Sequence, residues 1–252
     1  MKLFDLSDRV AIVTGGNGGI GLAIAQGFAE AGGKIALIGR NESKGAEALA
    51  SLATPEKLFL SFDLSSADAC RRMVNAVLKR FGRIDILVNN AGIAIRKAPQ
   101  DYSEREWHDV LETNLSSAFF CSQAAYPAMK QQGGGKIINI GSMMSLFGAP
   151  FAVAYAASKG GMVQLTKALA TAWALDNIQV NAILPGWIDT DLTARARAEV
   201  PGLNEQVLAR TPAGRWGKPQ DLAGAAIFLA SAASDFVTGA AFPVDGGYSA
   251  RA

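Results

Sequence analysis

Short runs of apolar residues recur along the chain, and most of them are followed by a segment with the periodicity of an amphipathic helix. Runs that are apolar at consecutive positions predict strands buried on both faces, and helices between such strands predict a parallel sheet covered on both sides. We therefore expect an α/β fold in a single domain (1–252), with a doubly wound, seven-stranded parallel sheet and helices on both faces. The predicted strands span residues 10–14, 34–39, 57–64, 83–92, 136–141, 178–184 and 239–247.

Two long helical segments and one irregular segment stand out in this pattern. A long helix is predicted over 103–130, broken only by Pro127 near its end, and another over 151–175, which is rich in small residues. Between 187 and 218, two proline breaks and mixed periodicity predict a substrate loop, because connections of this length usually carry function. The alternative for this segment is a solvated insertion.

The composition excludes several classes of function. The 252 residues are 50% hydrophobic and 18% charged, the net charge is +2, and Lys and Arg are scattered, which gives little reason to expect nucleic acid or a membrane as partner. Cys70 and Cys121, far apart in sequence, predict two core thiols, and the single histidine, His108, argues against a His-ligated metal; we expect no metal site. A polar start and no apolar run of about 20 residues predict a soluble, cytoplasmic protein.

A glycine-rich turn lies between the first predicted strand and the first predicted helix. Glycines there let the backbone approach a pyrophosphate, and the free N–H groups at the helix N-terminus favour an anion. The run fits two registers, with glycines at 16, 18 and 21 or at 15, 19 and 21, and we prefer the second because it places a glycine directly after the strand. The candidate dinucleotide contacts in this turn are Gly15, Asn17, Gly19, Ile20 and Gly21.

The end of the second predicted strand bears on the choice of cofactor. An acidic residue about 20 residues past the glycine turn would accept hydrogen bonds from the ribose hydroxyls of NAD. Here Gly39 leaves room instead, and Arg40 supplies guanidinium donors for a 2′-phosphate. This pattern favours NADP(H); the alternative is a solvated arginine with NAD bound.

Other polar residues and glycines fall at the ends of the later predicted strands. In an open parallel sheet the ligand lies outside the carboxyl ends of the strands, so these positions are expected to meet in one site. Asp63 can accept from an adenine amino group or cap the following helix, and both roles can hold together. The further candidates for cofactor binding are Leu64, Asn90, Ala91, Gly92, Pro185 and Gly186.

A possible proton donor and acceptor lies in the segment 142–159. Tyr155 and Lys159 are four residues apart in a predicted helix, which places them on one face. A lysine ammonium one turn away favours the phenolate and is expected to lower the pKa of Tyr155 towards neutrality, which suits the interconversion of an alcohol and a carbonyl. Ser142, at the end of a predicted strand, can point its hydroxyl at the same carbonyl oxygen.

Taken together, these motifs resemble the short-chain dehydrogenases/reductases over essentially the whole chain. The resemblance implies a Rossmann-type fold and a catalytic tetrad of Asn114, Ser142, Tyr155 and Lys159. It implies that the tyrosine is the acid/base, the serine orients the substrate oxygen, the lysine holds the nicotinamide ribose and the asparagine keeps a water-linked proton path. It also implies contacts from Thr190 and the backbone of Ile188 to the nicotinamide carboxamide. The matching pieces are TGGNGGIG (14–21), DL (63–64), NNAG (89–92), ETNLSS around Asn114, Ser142, YAASK (155–159), PGWIDT (185–190) and VDGG (244–247).

Within that family, the chain resembles the branch of gluconate 5-dehydrogenases and 2-deoxygluconate 3-dehydrogenases. On this resemblance Arg96 would grip the carboxylate or hydroxyls of a sugar acid, with Met143 and Trp187 as pocket walls; the alternatives are a surface arginine and ordinary packing. Relatives in the branch often carry an acidic residue where Gly39 stands, so this chain departs from them in the region that selects the cofactor.

The leading hypothesis is an oxidoreductase that moves a hydride between NADP(H), or NAD(H), and a secondary alcohol or ketone. The expected small-molecule substrate is a sugar, a polyol or a sugar acid such as gluconate. One alternative is a 3-oxoacyl-thioester (acyl-carrier-protein) reductase, in which arginines of the 187–218 segment meet a phosphopantetheine or carrier protein. Another is a dinucleotide-binding sensor or scaffold without turnover. Small residues in the 152–175 helix, an apolar C-terminal segment and the family resemblance predict a homotetramer.

Overall fold

The computed structural model describes residues 2–251 and contains one seven-stranded sheet in which every strand is parallel to its neighbours. The strand order is β3-β2-β1-β4-β5-β6-β7, so the chain reverses its direction of winding between β1 and β4. The expected doubly wound parallel sheet is confirmed. The strands are β1 (Val10–Thr14), β2 (Lys34–Gly39), β3 (Lys57–Ser61), β4 (Ile86–Asn89), β5 (Gly135–Ile140), β6 (Ile178–Pro185) and β7 (Ala241–Val244).

Helices cover both faces of the sheet, and each face has its own apolar cluster. Alternate residues of a strand go to opposite faces, so in β1 Val13 packs in one cluster and Ile12 in the other. The first cluster includes residues of α1, α2 and α9, and the second residues of α3, α5 and α6. The helices are α1 (Gly19–Glu30), α2 (Glu42–Ala50), α3 (Ala67–Phe81), α4 (Glu104–Leu111), α5 (Ser117–Gln131), α6 (Val153–Trp173), α7 (Asp191–Glu199), α8 (Leu203–Arg210) and α9 (Ala223–Ala230).

The long helix predicted over 103–130 is interrupted, but not at Pro127. α5 continues through Pro127 to Gln131, where the fully buried Met129 holds the last turn against the sheet. The break is a π-helical turn over Glu112–Ser116, between α4 and α5. Since a π turn inserts one extra residue per turn, it rotates the side chains that follow it, and such turns often occur at functional sites.

The segment 187–218 is not an irregular loop. It contains α7 and α8, which pack on each other through an apolar cluster of their own formed by Ala196, Leu203 and Val207 with Trp187, Val200 and Trp216. A parallel bridge between Ile188 and Gly217 closes the base of this helical hairpin beside β6. The proline and glycine breaks in the sequence mark its turns, and its helices are short because their apolar stripe covers only this small cluster.

The two cysteines, which are far apart in sequence, both lie in the core as free thiols. Cys70 on α3 donates to the Leu64 and Ser117 carbonyls, and its interaction with the neighbouring thiol of Cys121 on α5 lowers the pKa of Cys70 and raises that of Cys121. Among residues 2–251 there is no cluster of three or more acidic, His or Cys side chains arranged to hold a metal ion. No helix in the same range is long and apolar enough to cross a membrane.

Candidate active site

A cleft runs along the carboxyl ends of the strands and crosses the point between β1 and β4 where the winding reverses. It has an inner and an outer part, which meet at Gly92. The outer part is lined by Gly15, Asn17, Gly39, Arg40, Asp63, Leu64 and Ala91 among others. The inner part brings together Ile20, Asn90, Arg96, Ser142, Met143, Tyr155, Lys159, Pro185, Gly186, Trp187, Ile188 and Thr190. Residues predicted from widely separated segments therefore share one site.

The glycine turn has the backbone that the preferred register requires. Gly15 and Gly19 have φ values of 61° and 52°, in the left-handed region. A Cβ on Gly21 would lie 2.4 Å from the Gly15 carbonyl oxygen and from Asn90 Nδ2, whereas one on Gly18 would meet nothing within 4 Å. Glycine is therefore required at 15, 19 and 21, and also at 16, where a Cβ would lie 2.8 Å from the Val13 carbonyl oxygen; only Gly18 has room for a side chain. Gly19 and Gly21 do not line the cleft themselves; they allow the turn to be tight and α1 to begin there.

Thr14 is a residue whose function the motif analysis missed. Its hydroxyl donates to the Val88 carbonyl and accepts from the amides of Asn90 and Ala91, at 3.0 and 3.1 Å. The Asn90 side chain returns the contact by donating to the carbonyls of Thr14 and Gly15. These bonds fix the glycine turn to the end of β4. The only available signal was a threonine directly before the glycines, at the end of a buried strand.

At the far end of the outer cleft, Asn17 lies over Gly39. A Cβ on Gly39 would lie only 2.8 Å from Asn17 Cγ, so an acidic residue at that position would require Asn17 to move. Arg40 is exposed at the rim, with its side chain free to reach over the cleft. Asp63 accepts from the Ser65 amide, and Ser66, not Asp63, is the N-cap of α3. The proposed capping role of Asp63 is therefore wrong.

Asn114 lies in the π turn and is completely buried. Its side chain accepts from the Ile93 amide at 2.8 Å and donates to the Ile93 carbonyl at 2.9 Å and to the Ser158 hydroxyl at 3.0 Å. Ser158 in turn donates to the Tyr155 carbonyl. The π turn thus connects the loop after β4 to the helix that carries Tyr155 and Lys159. Ser158, between those two residues in the YAASK motif, was not assigned a role from the sequence.

Ser142, Tyr155 and Lys159 line one wall of the inner cleft. Lys159 is 3% exposed; its Nζ donates to the Ile140 carbonyl at 2.7 Å and lies 5.7 Å from the centre of the Tyr155 ring. Ser145 accepts from the Ser142 amide and donates to the Lys159 carbonyl, which joins the end of β5 to α6. The spacing of four residues does place the two side chains on the same face of the helix, as predicted.

The pKa values differ from the simple expectation for this pair. Burial raises the pKa of Tyr155, although the nearby Ser142 hydroxyl and the positive charge of Arg96 act in the opposite direction. Burial also lowers the pKa of Lys159 to about 8. The expectation that Lys159 lowers the pKa of Tyr155 is therefore wrong for this structure, because desolvation acts on both groups and disfavours the charged form of each.

Arg96 is a cleft residue and not a surface arginine. Its side chain is only 11% exposed, and its guanidinium donates to Glu199 at 3.0 Å and to the Leu192 carbonyl at 3.2 Å. The neighbouring Lys97 behaves differently, since it is more exposed and pairs with Glu106 outside the cleft. The helical hairpin thus supplies both hydrogen-bond acceptors of Arg96, a link that no motif in the sequence indicated.

Met143 and Trp187 form part of the cleft wall and also pack elsewhere. Met143 is 2% exposed and belongs to a small apolar cluster with Val163 and Leu184. Trp187 packs edge-on against Trp216 in the hairpin cluster, and within residues 2–251 its buried indole N–H has no hydrogen-bond partner. Both alternatives from the sequence, pocket wall and packing, therefore apply to these side chains.

Comparison with known proteins assigns the chain to a family. A family model described as enoyl-(acyl carrier protein) reductase matches residues 15–249. The 2-dehydro-3-deoxy-D-gluconate 5-dehydrogenase of Dickeya dadantii is 44% identical over 254 residues, which cover 100% of this chain and 99% of the relative. The chain belongs to the short-chain dehydrogenase/reductase family. The resemblance inferred from the motifs is thereby confirmed.

Two further similarities bear on what this dehydrogenase/reductase can do. A gluconate 5-dehydrogenase from Burkholderia cenocepacia, crystallised with NADP and tartrate, is 40% identical and superimposes with a TM-score of 0.93 over 100% of this chain and 99% of its own. The 3-oxoacyl-[acyl-carrier-protein] reductase of Chlamydia muridarum is 41% identical over 246 residues, with 96% of this chain and 98% of the relative covered.

The buried ammonium of Lys159 predicts a pH dependence of stability. In the unfolded chain lysine keeps its proton up to a pH near 10.5, whereas folded Lys159 releases it near 8. Between these values the unfolded state binds more protons, so this group makes stability rise with pH. Relative to Lys159→Met, we expect the free energy of unfolding of the wild type to increase by about 1–3 kcal/mol from pH 8 to 10.5. Urea unfolding of both proteins measures it; parallel profiles would contradict it.

Proposed function

We propose that this protein is an NADP-dependent oxidoreductase that interconverts a secondary alcohol and a ketone on a sugar acid. The observation that carries the proposal is one cleft in which Ser142, Tyr155 and Lys159 lie beside the enclosed guanidinium of Arg96. The first three side chains suit proton transfer to a substrate oxygen, and the fourth suits an anionic group on the same molecule.

The outer cleft supports dinucleotide binding. The backbone approaches closely at Gly21, where a Cβ would collide with Asn90 and Gly15, and at Gly39, where it would collide with Asn17. Such a cradle, at the N-terminus of α1 and at the switch point of a parallel sheet, fits a pyrophosphate. We assign to it Gly15, Asn17, Gly19, Ile20, Gly21, Asp63, Leu64, Asn90, Ala91, Gly92, Pro185, Gly186, Ile188 and Thr190, with Arg40 at the 2′-phosphate.

The chemistry divides between cofactor and protein. NADP, when bound, supplies the hydride acceptor, and NADPH the donor. In ketone reduction the Tyr155 hydroxyl donates its proton to the carbonyl oxygen, and in alcohol oxidation Tyr155 takes the proton back. Ser142, which acts on the pKa of Tyr155, orients the same oxygen. Lys159 holds the nicotinamide ribose, and Asn114 keeps the proton path by fixing Ile93 and Ser158.

The carrier-protein reductase alternative receives less support from the hairpin. Of its arginines, Arg197 pairs with Asp189 and stacks over Trp216, and Arg215 pairs with Asp221. Arg210 lies between the rings of Phe147 and Tyr248. Only Arg195 is left without an internal contact among the described residues of this group. A basic docking surface for a phosphopantetheine or carrier protein therefore has little free charge to use.

A substrate panel tests the proposal directly. We expect NADP-dependent oxidation of gluconate or a related sugar acid, followed at 340 nm, to exceed by at least tenfold in kcat/KM both the oxidation of neutral polyols and the NADPH-dependent reduction of acetoacetyl thioesters. Preference for the thioester would favour the carrier-protein alternative. Tight NADP binding with no turnover across the panel would favour a sensor.

Replacement of Tyr155 by Phe isolates the proton step. The variant keeps the ring and its packing but loses the hydroxyl, so we expect kcat to fall by about 10²–10⁴-fold, the usual contribution of a positioned acid or base. The Kd for NADP, measured by quenching of tryptophan fluorescence, should change less than about threefold. Tyr102→Phe, which removes a phenol hydroxyl bonded to the Ile95 carbonyl, is the matched control. Near-normal turnover by Tyr155→Phe would contradict the mechanism.

Arg40 should determine the preference for NADP over NAD. Because charge-assisted hydrogen bonds to phosphate are strong, Arg40→Gln is expected to raise KM for NADP by about 10- to 100-fold and to change KM for NAD less than about threefold. The control is Arg71→Gln, which removes one positive charge from an exposed position on α3. Equal losses with the two cofactors would show that Arg40 does not read the 2′-phosphate.

Assembly and location form the last part of the proposal. The outer face of α6 exposes Ala157, Ala168 and Ala172, and a Cβ on Gly160 would meet nothing within 4 Å, so another helix can approach closely. Together with fully exposed Leu175 and Phe236, this supports a homotetramer. The cytoplasmic location stays a prediction from the sequence. Sedimentation equilibrium at micromolar concentration should give four chains; a monomer would contradict it.

A further inference from the structure

Arg96 occupies an unusual electrostatic position at the substrate end of the cleft. Its side chain is 11% exposed and lines the same wall as Ser142 and Tyr155. Its positive charge lowers the pKa of Tyr155 against the effect of burial. A guanidinium that is so enclosed needs an anionic or dipolar partner, since burying an unpaired charge is costly.

The helical hairpin supplies that partner from its own chain. Glu199, the last residue of α7, accepts from one terminal nitrogen of Arg96 at 3.0 Å, and the Leu192 carbonyl accepts from the other at 3.2 Å. These contacts link residues about a hundred positions apart. A carboxylate on a substrate in the cleft would meet a guanidinium whose two terminal nitrogens already have acceptors.

The two acceptors differ in how easily they can leave. The Leu192 carbonyl is part of the α7 backbone, so it cannot move unless the helix does. The Glu199 side chain is 51% exposed at the end of that helix and can rotate into water. An ion pair in which one side chain is as exposed as Glu199 contributes little to stability. Replacement of the Glu199 carboxylate at Arg96 by another carboxylate therefore requires little free energy. Binding of both at once would place two negative charges on one guanidinium.

We propose that Glu199 is a specificity-determining residue: its carboxylate occupies Arg96 in the free enzyme, and the carboxylate of the substrate replaces it there. This inference rests on the proposed function. A neutral polyol cannot displace Glu199, so Arg96 stays neutralised and contributes nothing to its binding. An acidic substrate gains Arg96 and releases Glu199 to water. The exchange therefore sets how strongly the enzyme distinguishes acids from neutral sugars, and it weakens the binding of acids by the cost of displacing Glu199.

The test uses tartrate, a hydroxylated dicarboxylate, titrated calorimetrically into the NADP-saturated enzyme. Glu199→Gln keeps an amide oxygen that can accept from Arg96 but removes the competing charge. We expect it to lower the Kd for tartrate by about two- to fivefold, the upper part of the range for an exposed ion pair. Glu205→Gln, which removes the same charge from an exposed position on α8, should leave the Kd unchanged. In an Arg96→Met background, Glu199→Gln should give no gain.

The outcomes separate this inference from the proposed function. If the Arg96–Glu199 ion pair is only structural, Glu199→Gln should bind tartrate more weakly than the wild type. That result would overturn the inference, and so would an unchanged Kd, no tartrate binding by either protein, or an equal gain in Glu205→Gln. With gluconate, KM should fall by the same two- to fivefold while kcat changes less than about twofold. If the wild type fails to oxidise gluconate or related acids, the proposed function fails, while the tartrate titration still decides the role of Glu199.

Discussion

The pairing of β1 with β4 is the constraint on which the rest of the site depends. These strands are neighbours in the sheet although two other strands lie between them in sequence, and the crevice opens where their carboxyl ends part. The Thr14 hydroxyl and the Asn90 side-chain amide hold the two ends together through five hydrogen bonds to backbone groups. These contacts attach the glycine turn to the end of β4. The position of Gly92, where the two parts of the cleft meet, follows from the same contacts.

A second constraint is the low polarity around the proton-transfer groups. Lys159 is a cation within the core whose only direct hydrogen bond among the described residues is to the Ile140 carbonyl. Its lowered pKa, and the raised pKa of Tyr155, mean that the site holds both groups nearer their neutral forms than water would. A bound dinucleotide with its negative phosphates and ribose hydroxyls is the kind of partner that compensates such an ammonium. If the proposed dinucleotide binds beside Lys159, its binding is expected to change the charge state of the pair.

The helical hairpin has a different relation to the fold from the other helices. Its apolar cluster is separate from the two that cover the sheet, and its base is attached by the Ile188–Gly217 bridge. Two ion pairs connect it to opposite sides of the cleft, Asp191 with Lys44 of α2 and Glu199 with Arg96 of the loop after β4. Because its apolar cluster is separate, the cleft-facing residues of the hairpin can change without disturbing the packing of the sheet.

The sequence by itself determined the seven strands, the glycine turn after β1 and the chemical groups that gather at the strand ends. These follow from local periodicity and backbone freedom, which depend on neighbouring residues. Only the tertiary structure decided the π turn that buries Asn114, the continuation of α5 through Pro127 and the directions of the Tyr155 and Lys159 pKa shifts. It also decided that Arg96 faces the cleft and forms an ion pair with Glu199. The desolvation of Tyr155 and Lys159 depends on how the whole chain packs, and the Arg96–Glu199 ion pair joins residues about a hundred positions apart. No local sequence pattern therefore contains either effect.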